Sequence, residues 1–370
     1  MEKIIFGITG LTLGGAERVL VDLSNKLAEK YDITIFTLYA GGELEKELDK
    51  KVHLKSLYNF RYDSLSKIKK KLIPLKVLFT SRSIFKKYVA NEEYKAQIAF
   101  LEGPITQIFK YKSGAKKIAW IHNDISSMFS KNIKAKIKRI FARNAYEKYD
   151  NLVFVSMDNL DKFNKIFDDM PLPKEKVIKN YINSERILKL ATEEPDFKFN
   201  KDEINIVQVS RLVEQKAINR LIEVHANLIK QGIKHHVYVV GTGPLKEKLQ
   251  KQIEEQNVAK TFTLLGPKEN PYPYIKNCDA FCLLSNYEGY GMVIDEAKIL
   301  NKFICITNTA AREALLDYPG NSRIVQNNEE GIEDGIKYIV KNKQKIASKK
   351  IEYHLENDKT IEKICKMINL

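Results

Sequence analysis

Cysteine is scarce in this 370-residue chain, and its four cysteines lack the spacing of metal ligands. Cys278 and Cys282 lie in an apolar stretch, NCDAFCLLSN, which predicts a buried strand, so we expect core residues in a reducing compartment. No hydrophobic run approaches the ~20 residues of a membrane-spanning helix, and the first residues, MEKIIFGITG, predict a strand and not a signal peptide. We therefore expect a cytoplasmic protein, and its length favours two domains.

Acidic residues are under-represented in the first half of the chain. Residues 1–180 contain 34 Lys and Arg against 21 Asp and Glu, whereas the remainder contains 28 against 26. Residues 64–87 carry eight basic and no acidic residues, and residues 131–143 carry six and none. Basic amphipathic segments of this kind suit an anionic membrane surface. A solvated helix face is the alternative, and no nucleic-acid-binding motif accompanies the charge.

Short apolar strands alternate with amphipathic helical patterns along the chain, which predicts parallel sheets covered by helices. The predicted strands are 3–10, 32–39, 96–103, 116–122, 151–156, 204–210, 235–241, 261–266, 279–285 and 302–307. A polar segment at 193–203 separates the two series and is interpreted as a linker. The sequence thus predicts an α/β protein with two Rossmann-like, doubly wound domains that face a cleft.

Ligands of such sheets bind beyond the carboxyl ends of the strands, so the loops there are candidate sites. Gly14 and Gly15 form a small turn before the first helix, where a backbone amide can approach a phosphate. Arg211 and Lys216 follow the first strand of the second series and can straddle a diphosphate. A plain turn and exposed surface cations are the respective alternatives.

Two acids bracket the loop SNYEGYGMVIDEA, residues 285–297. Glu288 lies in the loop, a helix is predicted to begin near Gly291, and Glu296 falls about a turn and a half inside it. Both carboxylates could then address one ligand, and the free amides at the helix start could bind a phosphate or a sugar hydroxyl. Dipole compensation and an exposed helical acid are the structural alternatives. His122 ends another predicted strand, where a purely structural role is also open.

In this order and spacing, the motifs resemble the retaining, nucleotide-sugar-dependent glycosyltransferases of the GT-B fold, family 4. The resemblance runs nearly end to end through GGAER, SRLVEQK, GTGPLKEKL and EGYGMVIDEA, the last matching that family's E-x7-E pattern. It implies an acceptor-binding domain at 1–182, a nucleotide-sugar-binding domain at 183–350, and a C-terminal helix at 351–370 that packs back on the first domain.

The resemblance also implies roles for individual residues. Gly15 would contact the donor diphosphate from one side, and Arg211 and Lys216 would bind it from the other. His122 would stand beside the donor sugar, and Gly241 would line the nucleotide cleft. Glu288 would lie near the donor sugar, and Glu296 would accept hydrogen bonds from the ribose. The backbone implied to contact the donor comprises Gly289, Tyr290, Gly291, Met292 and Val293.

The implied enzyme is a metal-independent hexosyltransferase with no cofactor beyond its donor, a nucleotide diphosphate sugar for which UDP is favoured. Retention would proceed by attack on the face from which the nucleotide leaves. Alanine at Glu288 or Lys216 is expected to abolish transfer and to change stability within roughly 1 kcal/mol, as at an exposed site. The identities of the sugar and of the acceptor stay open.

The basic first half then predicts a peripheral membrane enzyme that extends a polyprenyl-diphosphate-linked saccharide at the inner face of the cell membrane, for capsule or a similar polysaccharide. Two alternatives are a non-hydrolysing nucleotide-sugar epimerase and a glycosyltransferase-like accessory subunit without chemistry. Loss of the E-x7-E pattern or of the basic pair would favour the accessory subunit, and this chain keeps both.

Overall fold

The computed structural model describes residues 1–123, 125, 133–168, 173–200, 202–348 and 357–369. Two compact units make up the chain, namely Met1–Ile182 with Glu356–Leu370, and Asn183–Leu355. The second predicted basic run, 131–143, begins outside the described residues, as does the predicted C-terminal helical segment. No helix of the described part is long and apolar enough to cross a membrane.

The first unit is a parallel sheet with helices between its strands. Its strands are β1 (Lys3–Ile8), β2 (Asp32–Tyr39), β3 (His53–Tyr58), β4 (Ala96–Ala99), β5 (Lys116–Ile121), β6 (Asn151–Phe154) and β7 (Lys174–Val177). Its helices are α1 (Gly15–Leu27), α2 (Lys67–Ile84), α3 (Pro104–Phe109), α4 (Ile133–Tyr146), α5 (Met157–Ile166) and the C-terminal helix Asn357–Asn369. The strand order is β3-β2-β1-β4-β5-β6-β7.

The second unit repeats this plan. Its strands are β8 (Ile204–Val209), β9 (His235–Val240), β10 (Phe262–Gly266), β11 (Ala280–Leu283), β12 (Phe303–Thr307) and β13 (Ser322–Val325), in the order β10-β9-β8-β11-β12-β13. Its helices are α6 (Ser184–Leu190), α7 (Ile218–Lys230), α8 (Lys246–Glu255), α9 (Tyr272–Asn277), α10 (Met292–Ile299), α11 (Glu329–Lys341) and α12 (Lys343–Ser348), after which the C-terminal helix is α13.

Both sheets are doubly wound, which confirms the predicted fold class. The chain leaves β1 toward β2 and β3 on one side and returns to β4 on the other, and β8 has the same relation to β9 and β11. The direction in which successive strands are added to the sheet therefore reverses between β1 and β4, and between β8 and β11. Within each sheet, the loops that follow the two central strands lead away in opposite directions at the switch point, and α/β proteins bind ligands between such loops.

Burial explains why the strands form where they do. β1, KIIFGI, is fully buried after its first residue because helices cover both faces of a parallel sheet. Cys278 and Cys282 are buried free thiols, as predicted. The segment predicted as a linker belongs instead to the second unit, where the Phe197 ring packs 5.0 Å from Tyr238 and 5.8 Å from Tyr274. The Phe199 ring also contacts Tyr238, at 5.2 Å. These two phenylalanines attach the segment to the second unit, which its polar composition did not predict.

Candidate active site

Two loops meet at the switch point of the second sheet. The basic loop, residues 210–217, follows β8, and the acidic loop, residues 284–291, follows the neighbouring strand β11. Three hydrogen bonds join them: the Asn286 amide donates to the Gln215 carbonyl at 2.8 Å, Asn286 Nδ2 to the Glu214 carbonyl at 2.9 Å, and Gln215 Nε2 to the Tyr287 carbonyl at 3.0 Å. Three hydrogen bonds between the same two short segments hold the two loops together.

Glu288 and Lys216 are paired across these loops. Lys216 Nζ donates to Glu288 Oε1, and the Ser285 hydroxyl donates to the same oxygen at 2.5 Å. The Glu288 side chain is 6 % exposed and that of Lys216 is 14 % exposed. The expectation that alanine at either position changes stability by only roughly 1 kcal/mol assumed exposed side chains, and the burial of this pair contradicts that premise. Each partner neutralises and orients the other.

Arg211 differs from Lys216 although both belong to the basic loop. Its side chain is exposed, and the described residues supply no hydrogen bond or ion pair to its guanidinium. Lys216 lies in a 3-10 turn, Glu214–Lys216, and not in α7, because Ala217 is left-handed with φ 50° and the helix begins only after it. The basic loop therefore carries one cation that is paired with Glu288 and one exposed cation, Arg211, and two cations on one loop are able to bind an anion.

Gly241 packs directly against the backbone of the basic loop. Its φ is 144°, and a Cβ atom there would lie 1.9 Å from the Ser210 carbonyl oxygen. Gly243 has the same relation to the Leu212 carbonyl, at 2.4 Å. The two glycines let the loop after β9 pack directly on the backbone that carries Arg211. The predicted role of Gly241 in lining a nucleotide cleft stays a prediction.

The acidic loop ends in a left-handed glycine. Gly291 caps α10 with φ 79°, and the helix begins at Met292, close to where the sequence predicts it. A side chain at Gly291 would be strained and would approach Ile294 and Leu283 at 3.1 Å. The first turn of α10, with Met292 and Val293, therefore follows a tight backbone bend. Contacts of Gly289, Tyr290 or the amides of this turn with a donor are not tested by the geometry.

Glu296, one turn into α10, has a partner of its own. Its Oε1 accepts from the Tyr272 hydroxyl at 3.4 Å, and Arg186 Nη2 donates to that hydroxyl at 3.2 Å. Tyr272 lies on α9 and Arg186 on α6, so three helices converge at this carboxylate. Glu288 and Glu296 thus have different protein partners within the second unit. The predicted ribose contact of Glu296 stays a prediction.

His122 lies in the first unit, directly after β5, and is half-buried with its ring packed on Phe100. The ring centroid is 4.6 Å from that of Phe100, and Nε2 is buried without a hydrogen-bond partner among the described residues. Desolvation lowers the pKa of His122 to about 3, so the imidazole is neutral at physiological pH. An unpaired buried nitrogen costs free energy unless a ligand completes it.

Glu102 holds this loop, and the sequence analysis missed it. Its Oε1 accepts from the amides of His122 at 2.6 Å and of Asn123 at 2.8 Å, and Oε2 accepts from Asn123 Nδ2 at 3.0 Å. Burial raises the pKa of Glu102. An acid at the end of the strand pattern AQIAFLEG was the available signal, because a carboxylate there can accept the free amides of a neighbouring loop.

Gly15 opens α1 at the switch point of the first sheet. Gly14 precedes it as the N-cap, and a Cβ at Gly14 would lie 2.2 Å from Glu17 Oε2, so the carboxylate of Glu17 folds over the helix start. A carboxylate at this position compensates the helix dipole. A diphosphate approaching Gly15 would meet this like charge, and the predicted contact requires Glu17 to turn away. Among the described residues no cluster of three or more metal-ligating side chains occurs.

The two sheets with their switch-point loops define a protein of the GT-B class, and solved structures of that class share the fold. A variant of Staphylococcus aureus TarM, solved with Fondaparinux, alpha-GlcNAc-glycerol and UDP, superposes with a TM-score of 0.72 at 15 % identity over 100 % of both chains. Anabaena HepE in complex with UDP gives 0.70 at 16 % identity, again over 100 % of both chains.

A family model matches the second half of the chain, and curated relatives match most of it. Residues 191–364 match the family described as "Glycosyl transferases group 1". The chain is 26 % identical over 347 residues to a Campylobacter jejuni N-acetylgalactosamine-N,N'-diacetylbacillosaminyl-diphospho-undecaprenol 4-alpha-N-acetylgalactosaminyltransferase, covering 92 % of this chain and 90 % of that one. An uncharacterized glycosyltransferase of Methanocaldococcus jannaschii is 25 % identical over 81 % of this chain and 76 % of its own. Residues 191–364 thus match the group 1 glycosyltransferases, and the whole chain shares the GT-B fold of the solved structures.

Proposed function

We propose that the protein is a retaining glycosyltransferase that moves a hexose or an N-acetylhexosamine from a UDP-sugar to a saccharide acceptor. The observation that carries this proposal is the cluster of Arg211, Lys216 and Glu288 at the switch point of the second sheet. Two cations on one loop suit a diphosphate, and a buried carboxylate beside them suits sugar hydroxyls. UDP is favoured because the solved TarM and HepE complexes contain it.

The proposed step breaks the bond between the anomeric carbon and the diphosphate oxygen and forms one to the acceptor oxygen on the same face. The acceptor proton passes to an oxygen of the departing diphosphate, so no protein base is needed. Arg211 and Lys216 stabilise the charge that develops on the leaving group. Glu288 is held by Lys216 and Ser285 and in turn orients the lysine. In the proposal the Glu288 carboxylate also accepts hydrogen bonds from the sugar.

In this proposal, His122 is the residue of the first unit that contacts the donor sugar. The Nε2 atom of this neutral imidazole is buried and unpaired, so it can form one hydrogen bond with a sugar hydroxyl. The Glu102 carboxylate fixes the backbone that carries the ring, which limits its freedom before a ligand arrives. His122 therefore acts in the proposal as a neutral hydrogen-bonding group and not as a cation.

Donor binding is tested by thermal shift with UDP, GDP, ADP and their common sugar conjugates. A ligand at 100 times its Kd stabilises the native state by about 2.7 kcal/mol, and we expect the largest shift with a UDP-sugar. Arg211→Ala should lose most of this shift, because the substitution removes an exposed cation that is available to the diphosphate. Lys260→Ala is the matched control, since Lys260 is an exposed cation at the opposite edge of the sheet, before β10. Equal shifts in both variants would contradict the proposal.

Retention is tested through slow hydrolysis of the donor with water as acceptor. Proton NMR at early times distinguishes the α- from the β-anomer of the released sugar before the two equilibrate. An α-linked donor should release the α-sugar first. Initial release of the β-anomer would refute the retaining step and would leave donor binding untouched.

We further propose a lipid-linked acceptor and a peripheral membrane position on the cytoplasmic side, in synthesis of capsule or a similar surface polysaccharide. The Campylobacter relative acts on a diphospho-undecaprenol substrate by its name, and a 25 % identical Erwinia amylovora relative is named for amylovoran biosynthesis. The helix α2 supports the membrane position. Its apolar residues Ile68, Leu72, Leu75 and Phe79 are 71, 57, 53 and 85 % exposed.

These four residues follow one another at intervals of four, three and four, so they share one face of α2. The segment 64–87, which contains this face, carries eight basic and no acidic residues, and each cation near an anionic bilayer adds about 1 kcal/mol. On α4, Ile137, Ile140 and Phe141 repeat the pattern at 51, 59 and 50 % exposure. Exposed apolar stripes of this kind, bordered by lysine, are typical of interfacial helices.

Co-sedimentation with vesicles tests this surface. Wild type should bind phosphatidylglycerol vesicles at low salt and bind phosphatidylcholine vesicles weakly. Phe79→Ser should lower the bound fraction several-fold, whereas Leu316→Ser should not, although Leu316 is 78 % exposed in the second unit. Absence of binding to the anionic vesicles at low salt would remove the membrane proposal.

A further inference from the structure

Four aromatic rings meet at the carboxyl edge of the first sheet. Tyr39 ends β2, Tyr58 ends β3, and Phe60 and Tyr62 follow in the next loop. The Tyr39 ring centroid lies 5.8 Å from Tyr58, 6.1 Å from Phe60 and 5.3 Å from Tyr62, and Tyr58 stacks on Phe60 at 5.2 Å. We call this group the aromatic cluster. Its rings support one another at distances typical of favourable aromatic pairs.

The aromatic cluster runs from the core into solvent. Tyr39 is 5 % exposed and belongs to the hydrophobic core of the first unit, whereas Phe60 is 38 % and Tyr62 is 40 % exposed. The Lys70 ammonium lies 5.1 Å from the centre of the Tyr62 ring, a cation–π contact that holds this exposed ring in place. A large ring that is both exposed and fixed presents a ready face to a ligand.

A cavity of about 140 Å³ opens beside these rings. At about 30 Å³ per water molecule, this volume corresponds to roughly five waters, a space that suits one pyranose ring. Its wall contains Tyr39 and Tyr62 together with polar side chains. The polar lining residues are Thr9, Thr12, Glu17, Arg61 and Asp63. Rings on one side and a few polar groups on the other are the usual lining of a small-molecule site.

The charges around the cavity select against an anionic ligand. Glu17 and Asp63 contribute two carboxylates, and Arg61 is already paired with the Glu43 carboxylate. Lys70, whose ammonium lies over the Tyr62 ring, is one further cation beside the lining, so the carboxylates still outnumber the cations. Phosphate or diphosphate would therefore meet net negative charge. Burial, with Tyr58 and Tyr62 adding to it, raises the pKa of Tyr39 to about 12, so its hydroxyl remains a neutral donor and acceptor.

We propose that the aromatic cluster and its cavity form a binding site for a neutral pyranose ring of the acceptor saccharide. The apolar face of the sugar lies on the Tyr62 ring, and its hydroxyls bond to the threonine and carboxylate oxygens of the lining. This assignment rests on the proposed transfer to a saccharide acceptor and names the part of the acceptor that the first unit recognises. The lipid diphosphate is bound elsewhere.

Saturation-transfer NMR with the full chain, without donor, tests the site. The probes are methyl glycosides of glucose, galactose, N-acetylglucosamine and N-acetylgalactosamine at millimolar concentration. At least one should receive saturation through its ring protons, and Tyr62→Ala should weaken its affinity at least tenfold. Tyr62→Phe, which keeps the ring, should retain binding. Inorganic phosphate at the same concentration should not displace the sugar.

Phe79→Ala is the matched control, because it removes an exposed ring of the same unit outside the cavity and should leave binding unchanged. Phe60→Ala provides a second variant of the cluster should Tyr62→Ala fail to fold by circular dichroism. Binding that survives Tyr62→Ala and Phe60→Ala, or no saturation of any probe by wild type, overturns the site. UDP-sugar thermal shifts, measured separately, decide the proposed function: shifts without sugar binding defeat only the site, and sugar binding without shifts defeats only the transfer.

Discussion

Removal of Lys216 should destabilise the second unit far more than removal of an exposed lysine. Glu288 is buried at 5 % exposure and would keep only the Ser285 hydroxyl as partner. Leaving one member of a buried ion pair unpaired costs about 3–5 kcal/mol. The Lys216 side chain is 14 % exposed and the serine bond persists, so we expect about 2–4 kcal/mol for Lys216→Met.

Glu288→Gln should cost less, about 1–2 kcal/mol, because the long lysine side chain can turn its charge to water. The double variant should lose less than the sum of the two, with a coupling of at least about 1 kcal/mol, since the second change removes the charge that the first left unpaired. Lys251→Met is the control. Lys251 and its partner Glu255 are 77 and 63 % exposed, and surface pairs of this kind contribute little.

Urea unfolding followed by far-ultraviolet circular dichroism measures these differences. With m of about 2 kcal/mol/M, a loss of about 3 kcal/mol moves the midpoint by about 1.5 M. The single tryptophan, Trp120, is buried in the first unit, so its fluorescence reports separately on that unit. Additive losses in the double variant, or a Lys216→Met effect no larger than that of Lys251→Met, would refute the ion-pair reasoning.

Two further predictions concern backbone packing and acid stability. Gly241→Ala should lower both the thermal midpoint and the UDP-sugar affinity, because the new Cβ would overlap the Ser210 carbonyl. The control Gly232→Ala, at a positive φ but with nothing within 4 Å, should cost only about 1 kcal/mol. Equal effects of the two substitutions would contradict this prediction. Buried His122 and His225 have pKa values lowered to about 3 by desolvation, so the unfolded chain binds more protons below pH 6.5. Stability should therefore fall as pH drops from 6.5 toward 3, by about 2 kcal/mol per histidine at pH 5 in denaturant titrations, and His225→Gln should remove one share of that fall.

Periodicity predicted the interior of both sheets but not all of their edges. The strands absent from the prediction, β3, β7 and β13, lie at three of the four sheet edges, with sequences HLKSLY, KEKV and SRIV. An edge strand is half exposed and carries charges that discourage pairing with other chains, so its apolar signal is weak. A sequence argument that depends on apolar runs finds central strands and misses edges for this reason.

The chemistry of the site was likewise predictable only in part. Strand-end positions identified Arg211, Lys216 and Glu288 as candidate residues, because loops at carboxyl ends converge in a parallel sheet. The contact between Lys216 and Glu288 spans 72 positions and depends on β8 and β11 being neighbours, which no local spacing encodes. Burial of Glu288 was missed for the same reason, and with it the stability of the pair.

This pairing changes how the two cations can serve a diphosphate. The sequence treats Arg211 and Lys216 as equivalent, but the Lys216 charge is already balanced by Glu288, and the exposed Arg211 supplies the excess positive charge of the cluster. Long-range attraction of a donor should therefore depend on Arg211, while Lys216 is held by Glu288 in a fixed direction until a phosphate oxygen shares its remaining donors. A preorganised ammonium that needs no reorientation stabilises a leaving group better than a mobile one, so Lys216 is suited to the transfer step and Arg211 to capture.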